Sequence, residues 1–312
     1  MTNLEGIRSL ILCIGVRTFR LSRRNALGLW NTQRTDRTLH VIKQTLYRLR
    51  LLFCPPLKAV AIEINSFCNR KCPHCPHFDH IRPVEFLADE VVYGIIDELR
   101  RHKFEGNITY NLFSEPLLDK RLPKFVQYTR EALPCAFIYL NTNGDLLNLE
   151  LWNILRKAGL EYAIVGQYDS QINNNISELL NELSDAEKKR LSVRLFDIHT
   201  KYVNNRAGLV KTDKQVTLPL KAFCMRPFYQ LSVNYKGNIV LCCMDYLGLV
   251  EVADVRKQKL FRVWRWNLKF LYYRIKLVFK SRSHLTLCET CDYAQQNLKS
   301  VPSRKMIAKE GE

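Results

Sequence analysis

No apolar run read in this 312-residue chain is long enough to cross a bilayer. The longest near its start, Leu10 to Val16 between Arg8 and Arg17, falls far short of the roughly 20 residues a spanning helix needs. No small-residue cleavage site accompanies it, so it is not read as a signal peptide. Low-complexity sequence is missing as well, and with 47% hydrophobic residues the chain can bury a sizeable core, which excludes a disordered scaffold. Acid is scarce: 30 Asp and Glu face 48 Lys and Arg, a net +18. The shortage is local. Residues 1–57 carry ten Lys/Arg against only Glu5 and Asp36, residues 256–288 carry ten Lys/Arg and no acid, and the remaining 222 residues sum to zero. A neutral body with two basic flanks points to surface attachment or to an anionic substrate met by those flanks. No recognition motif accompanies the charge, so no nucleic-acid partner is expected. The chain is expected in the cytoplasm, peripheral at the inner membrane face.

Cysteine, by contrast, is plentiful. Cytoplasmic thiols stay reduced and rarely form structural disulfides, so eleven of them suggest metal binding or catalysis. Seven fall into two groups, 68/72/75 and 224/242/288/291. Cys13, Cys54, Cys135 and Cys243 are expected to be buried small hydrophobes, with Cys243 also able to replace its neighbour Cys242 as a ligand.

From residue 58 short apolar strands alternate with amphipathic helices. Strands are predicted over Lys58–Asn65, Asn107–Phe113, Ala136–Asn141, Tyr162–Gly166 and Ser192–Ile198. Between them Val91, Val92, Ile95, Ile96 and Leu99 share a helical face, as do Leu151, Ile154, Leu155 and Ala158. Such alternation implies an α/β fold, an open or partial barrel with a parallel sheet and ligands beyond the strand C-termini. After about residue 215, Phe228–Tyr235 and Asn238–Cys242 read as a hairpin turned by Lys236-Gly237, a small appended metal module. Residues 1–57 look helical, particularly Leu39–Phe53, up to the stop at Pro55-Pro56.

The segment Cys68-Asn69-Arg70-Lys71-Cys72-Pro73-His74-Cys75 directly follows the first strand. Three thiolates on one loop can reach three corners of an iron–sulfur cubane and leave the fourth iron open, as a catalytic centre requires. A zinc site built from Cys72 and Cys75 with His74, His77, His80 or Cys288/Cys291 is the alternative. The C-x3-C-x2-C spacing and its place after a strand resemble the radical S-adenosylmethionine (radical SAM) superfamily. That resemblance implies a partial (β/α)6 barrel and a [4Fe-4S] cluster on Cys68, Cys72 and Cys75. It implies reductive cleavage of SAM to a 5′-deoxyadenosyl radical, and an electron donor such as flavodoxin or ferredoxin.

Phe113-Ser114-Glu115-Pro116 stands where the family has a Gly-Gly-Glu-Pro motif for the SAM amino group. Both glycines are replaced, which leaves Glu115, with Ser114, as the candidate contact. Asn141-Thr142-Asn143-Gly144 resembles the family's turn near the SAM ribose and methionine, which makes Asn143 a candidate; a plain Asn-Gly turn is the alternative. Asn204-Asn205-Arg206-Ala207-Gly208 resembles a further family segment, with Arg206 suited to a carboxylate. Gln167, Tyr168 and Asp169 follow the fourth strand, either facing substrate or forming loop surface.

The second group reads C-x12-G-x4-C followed by C-x2-C, and no cysteine follows Cys291. It resembles the auxiliary module called SPASM in its long form and twitch in its short form, which implies a second, fully ligated [4Fe-4S] cluster on Cys224, Cys242, Cys288 and Cys291. A structural zinc clamp is the alternative. Over residues 58–295 this framework is similar to that of aminocyclitol-oxidising members. Within 255–282, Leu260, Trp264, Leu268, Leu271, Ile275 and Val278 recur at helical spacing, with Arg262, Arg265, Lys269 and Lys276 mostly elsewhere. This predicts one basic amphipathic helix, either lying on an anionic membrane or packed on the barrel.

The organisation expected is a basic helical extension at 1–57, a radical SAM core at 58–215, an auxiliary module at 216–295 and a tail at 296–312. The function expected is radical oxidation or rearrangement of a sugar, cyclitol or glycan-like small molecule. Maturation of a ribosomally made peptide, and a non-catalytic zinc-stabilised binding protein, are the competing readings.

Overall fold

Ala59–Ile62 (β1) is four apolar residues, every one buried, as expected of a strand covered on both faces. It lies inside an open eight-stranded sheet of order β5-β4-β3-β2-β1-β6-β7-β8. The strands are β2 (Asn107–Thr109), β3 (Phe137–Thr142), β4 (Tyr162–Gln167), β5 (Leu191–Leu195), β6 (Gln230–Val233), β7 (Asn238–Val240) and β8 (Glu251–Asp254). In this computed structural model residues 45–52, 54–168, 171–195, 204–212, 216–279 and 281–294 are described. The chain divides into two units, residues 1–55 and 56–312. Within the first, residues 45–52 are helical; the rest of the helix expected over Leu39–Phe53, and Cys13, lie outside the described residues.

The first six strands run parallel, the partial barrel expected, and the sheet does not close. Helices α1 (Asp89–Arg101), α2 (Leu122–Ala132), α3 (Leu149–Ala158), α4 (Asn174–Glu182) and α5 (Asp185–Lys188) connect them. On α1, Val92, Ile95, Ile96 and Leu99 are buried at helical spacing, with Asp89 and Glu90 in the first turn and Arg100 and Arg101 in the last, which suits the helix dipole. Each such buried Ile or Leu contributes about 2 kcal/mol. On α3 the buried pair is Trp152 and Leu155, while Ile154, expected inside, is 44% exposed. Trp152, on the Leu155 side of the helix, is buried in its stead, and its Nε1 donates to Glu187.

The C-terminal part departs from the expected appendage. Residues Arg226–Tyr229 form a short helix (α6) opened by Pro227, not the start of a strand, and β6 then pairs in parallel with β1. The hairpin β6–β7 turns at Lys236-Gly237 as expected, with Gly237 at φ 81, and β8 extends it. Body and C-terminal part share one hydrophobic core that includes Val60, Leu231, Trp264, Cys288 and Cys291.

The single helix expected over 255–282 is two: α7 (Leu260–Trp266) and α8 (Leu268–Val278). Asn267 interrupts them because its side chain accepts from the backbone of Lys269 and Phe270 as an N-cap and donates to the Val252 carbonyl. Leu260, Trp264 and Val278 go into the core, whereas Leu268 and Ile275 are exposed, so the apolar stripe expected there is not one face.

Candidate active site

The loop after β1 is closed at its base, where Leu87 N donates to Ile64 O and Ser66 N to Glu85 O. Inside, Cys75 N donates to Cys72 O and a one-turn helix begins at Pro76. Cys68, Cys72 and Cys75 thereby border one cavity of about 200 Å3. Burial pushes the Cys68 and Cys75 thiols up, so both resist ionisation without a bound cation. That donor set fits a thiolate-ligated metal centre.

The same cavity is lined by Ser114, Glu115, Asn143, Tyr168 and Arg206. Glu115 is buried, and its carboxylate accepts from Leu117 N at 3.0 Å, Thr142 Oγ1 at 2.7 Å and Asn143 N at 2.8 Å. Burial pushes its carboxyl up to about 7, against the lowering effect of those three donors. A carboxylate offers about four lone-pair sites, so one stays open toward the cavity. Asn143 turns its side-chain amide to Cys68 Sγ at 3.7 Å and Asn69 Oδ1 at 2.8 Å. Asp145 accepts from Asn69, Arg70 and Asn173, which ties the cysteine loop to the end of β3 and neutralises Arg70.

Arg206 sits on a turn with three successive left-handed residues, Arg206, Ala207 and Gly208. Side chains from beside Cys291 hold this turn: Asp292 accepts from Asn205 N, and Thr290 donates to Ala207 O. Arg206 Nε and Ser114 Oγ are buried without a hydrogen-bond partner among the described residues, so two unsatisfied polar atoms border the cavity where a polar ligand would meet them. His74 is lowered to about 4, first by burial and then by the Arg206 charge, and its ring lies 4.4 Å from that of Tyr168. Gly166 makes room for Tyr168, because a Cβ there would come within 2.8 Å of its hydroxyl oxygen.

The residues after β4 separate in role. Tyr168 lines the cavity. Gln167 is wholly buried, donating to Asn143 O and accepting from Asn173 N, which makes it a brace behind the cavity wall. Asp169 lies outside the described residues. Three further lining residues, Asn111, Ile164 and Arg194, were not singled out from sequence. Asn111 lies just beyond β2 and Arg194 near the end of β5, whereas Ile164 lies inside β4.

Cys224, Cys242, Cys288 and Cys291 border a second, smaller cavity. Burial first, then neighbouring thiols, push Cys242 well up and Cys288 to about 12, and burial raises Cys291. Cys242, Cys288 and Cys291, so held from ionising, also fit a cation-containing cluster. Cys243 turns away to accept from Arg226 Nη1 at 2.6 Å. It is half-buried, as is Cys54, and Cys135 is exposed, so these three are not the core residues expected. Arg226 and Arg282 border the thiol cavity too. Arg282 is 2% exposed and donates to the carbonyls of Ala222, Cys291 and Tyr293, while Arg226 Nε and Arg282 Nη2 have no hydrogen-bond partner among the described residues.

The two loops are joined. Arg82 pairs with buried Glu63 at 2.8 Å, donates to the Tyr246 carbonyl and lies 3.7 Å from the Tyr246 ring centre.

The profile of an iron–sulfur cluster-binding domain, SPASM, matches residues 224–292. The chain is 28% identical over 234 residues to the S-adenosyl-L-methionine-dependent 2-deoxy-scyllo-inosamine dehydrogenase of Niallia circulans, covering 75% of this chain and 92% of that one. It is 34% identical over 116 residues to the Fe-coproporphyrin III synthase of Methanosarcina barkeri, which covers 36% of this chain and 28% of that one. Among solved structures, that of BtrN in complex with AdoMet and 2-DOIA aligns with a TM-score of 0.69 at 26% identity, over 76% of this chain and 93% of that one.

Proposed function

We propose that this chain, a radical SAM enzyme with a C-terminal SPASM-type module, oxidises a hydroxyl-rich small molecule of the sugar or cyclitol class. Its cofactors are SAM and two [4Fe-4S] clusters, one on Cys68, Cys72 and Cys75 and one on Cys224, Cys242, Cys288 and Cys291. The observation that carries this reading is the first cavity, which borders three thiols and a polar, hydroxyl-matching wall at once. When bound, the cofactors supply one-electron cleavage of SAM, abstraction of a substrate hydrogen and an acceptor for the second electron.

The chain's own residues bind and orient. Glu115 offers its open lone pair, and Ser114 its free hydroxyl, to the SAM amino group. Asn143 holds Cys68 and the adjoining turn, and Arg206 meets a carboxylate with its Nε, which has no partner among the described residues. Asn111, Asn141 and Tyr168 supply the neutral hydrogen-bonding groups that fix hydroxyls, while Gln167 keeps the Asn143 turn in place. Among the described residues no three His, Cys, Asp or Glu side chains gather as one metal ion needs. Thiols spaced around a void support a cluster over zinc, whose ligands meet about 2.3 Å from one centre. The proposal includes a low-potential donor such as flavodoxin or ferredoxin, and an anionic membrane face as the surface that the basic flanks meet.

The test is anaerobic reconstitution, reduction, and incubation with SAM and a panel of cyclitols and sugars that includes 2-deoxy-scyllo-inosamine. The expected result is 5′-deoxyadenosine formed in step with a product that has lost two hydrogens. Tightly bound zinc with no cluster absorption, or turnover only with a peptide, overturns the reading.

A further inference from the structure

Helix α8 is apolar on two sides. Phe270, Tyr273, Leu277 and Val278 face the core and are buried. Leu268, Tyr272, Ile275 and Phe279, at steps of four, three and four residues, are 79%, 47%, 39% and 72% exposed. That spacing places them on one outer face, a stripe roughly 16 Å long at 1.5 Å per residue. Trp266, which ends α7, is 60% exposed and stands at the near end of the stripe. Large apolar residues left together in water mark an interaction surface, where scattered ones would not.

The charge around the stripe selects the occupant. Arg262 and Arg265 on α7 and Lys269 on α8 are exposed, Lys269 donating to the Glu251 carbonyl, and Lys276 lies 5.9 Å from the Tyr272 ring centre. No Asp or Glu occurs anywhere between Arg256 and Cys288. A second copy of this chain would bring like charge against like charge. Residues 1–57, themselves +8, would do the same. An acidic protein would answer the cations, but it would not by itself account for an aliphatic and aromatic row with Trp, Tyr and Phe at its borders. That combination is what a helix lying in a lipid interface presents: aromatics at the headgroup level, aliphatic side chains below, cations toward anionic headgroups.

We propose that the outer face of α8, Leu268, Tyr272, Ile275 and Phe279 with Trp266, docks flat on an anionic lipid surface. The helix stays packed on the protein by its inner side while it does so. Among the described residues no helix is long and apolar enough to cross a membrane, so this is attachment from one side. The proposal deepens the membrane partner named above and is independent of the chemistry at the cysteines.

The experiment is flotation of the full-length reconstituted protein with phosphatidylcholine vesicles, with and without 30 mol% phosphatidylglycerol, at low and high salt. Binding is expected on the anionic vesicles, weakened by salt. The double substitution Leu268→Glu, Phe279→Glu is expected to reduce binding at least tenfold. The single changes Arg265→Gln and Lys269→Gln should each reduce it about fivefold, since each cation near such a surface carries a comparable share. All four sites are exposed, so the variants should keep their circular dichroism spectrum and their SAM cleavage. Loss of cleavage with retained flotation would count against the catalytic reading, not this one. Equal binding to neutral vesicles, or full binding by the Glu double variant, overturns the proposal. So does a stable dimer, or a complex with an acidic flavodoxin, that the same double substitution dissolves while vesicle binding is absent.

Discussion

The Tyr246 hydroxyl donates to the His80 carbonyl at 2.5 Å and lies 3.2 Å from His77 Nδ1. His77 Nδ1 is the second hydrogen-bond partner of that oxygen, and burial first, then the Arg82 charge, lower the His77 imidazole. Tyr246 stands four positions after Cys242 and His77 two positions after Cys75, so the two cysteine groups meet through one phenol. Removing that oxygen in Tyr246→Phe loses two buried hydrogen bonds, about 1–3 kcal/mol. We expect the variant to lose iron from the Cys68/Cys72/Cys75 site faster under chelator challenge, with the second cluster unchanged. Equal loss from both sites would make Tyr246 a general packing residue.

Reconstituted protein should hold about eight irons, four per cluster. Replacing Cys68, Cys72 and Cys75 together with Ala should leave roughly half, and Cys243→Ala should leave all of it, because Cys243 turns to Arg226. A fall in iron for Cys243→Ala would return it to the ligand set.

Glu115 gives a pH dependence with a definite sign. Burial raises its folded value to about 7 from 4.5, so the protonated carboxyl favours the SAM-free fold below the unfolded value. That contribution, on the order of 3 kcal/mol, is lost as pH rises through about 7. An incoming ammonium group favours the ionised form. SAM affinity, measured by equilibrium dialysis, should therefore rise up to about tenfold per pH unit below 7 and level off above it. In Glu115→Gln the slope should vanish. A slope that persists there would assign the titration to another group.

Arg282 is cationic, buried and beside the second thiol cavity, where its charge favours the more negative, reduced state of a cluster. Arg282→Met should lower the midpoint potential of that cluster, read by EPR-monitored titration in the Cys68/Cys72/Cys75→Ala background, and Arg282→Lys should restore most of it. A tenfold shift in the reduction equilibrium is about 59 mV for one electron. An unchanged potential would confine Arg282 to bonding the carbonyls of Cys291 and Tyr293.

Much of this was legible in the sequence for a physical reason: thiols at fixed spacing after an apolar strand, and helices with buried residues at i, i+3 and i+4, are local patterns. Five of the six parallel strands and the two cysteine groups came from such patterns, while β6 reads as a hairpin strand of an appended module until its pairing with β1 is seen. What escaped depends on contacts between distant segments. Gln167 reads as a loop-end polar residue until Asn143 and Asn173 are placed on either side of it. Arg226 reads as an isolated cation and Arg282 as one more in a basic flank, and only the fold puts them against thiols. The stripe over 255–282 failed at one residue, Asn267, whose capping side chain starts a new helix and rotates the faces.

Strand β6 pairs with β1 and β7 at once, so the barrel's sixth strand is also the first strand of the cysteine hairpin. The boundary between the two is therefore not a linker, and exchanging the C-terminal half with that of a relative would require cutting inside a hydrogen-bonded ladder. Grafts that splice after β6 should aggregate, since they leave β6 beside a foreign β7, whereas grafts that splice between β5 and α6 exchange β6, β7 and β8 together and should express as soluble protein when the incoming β6 keeps the β1 register. Inheritance of new auxiliary chemistry in this architecture would then proceed by replacing whole halves or by drift within loops, never by adding a cassette at the end.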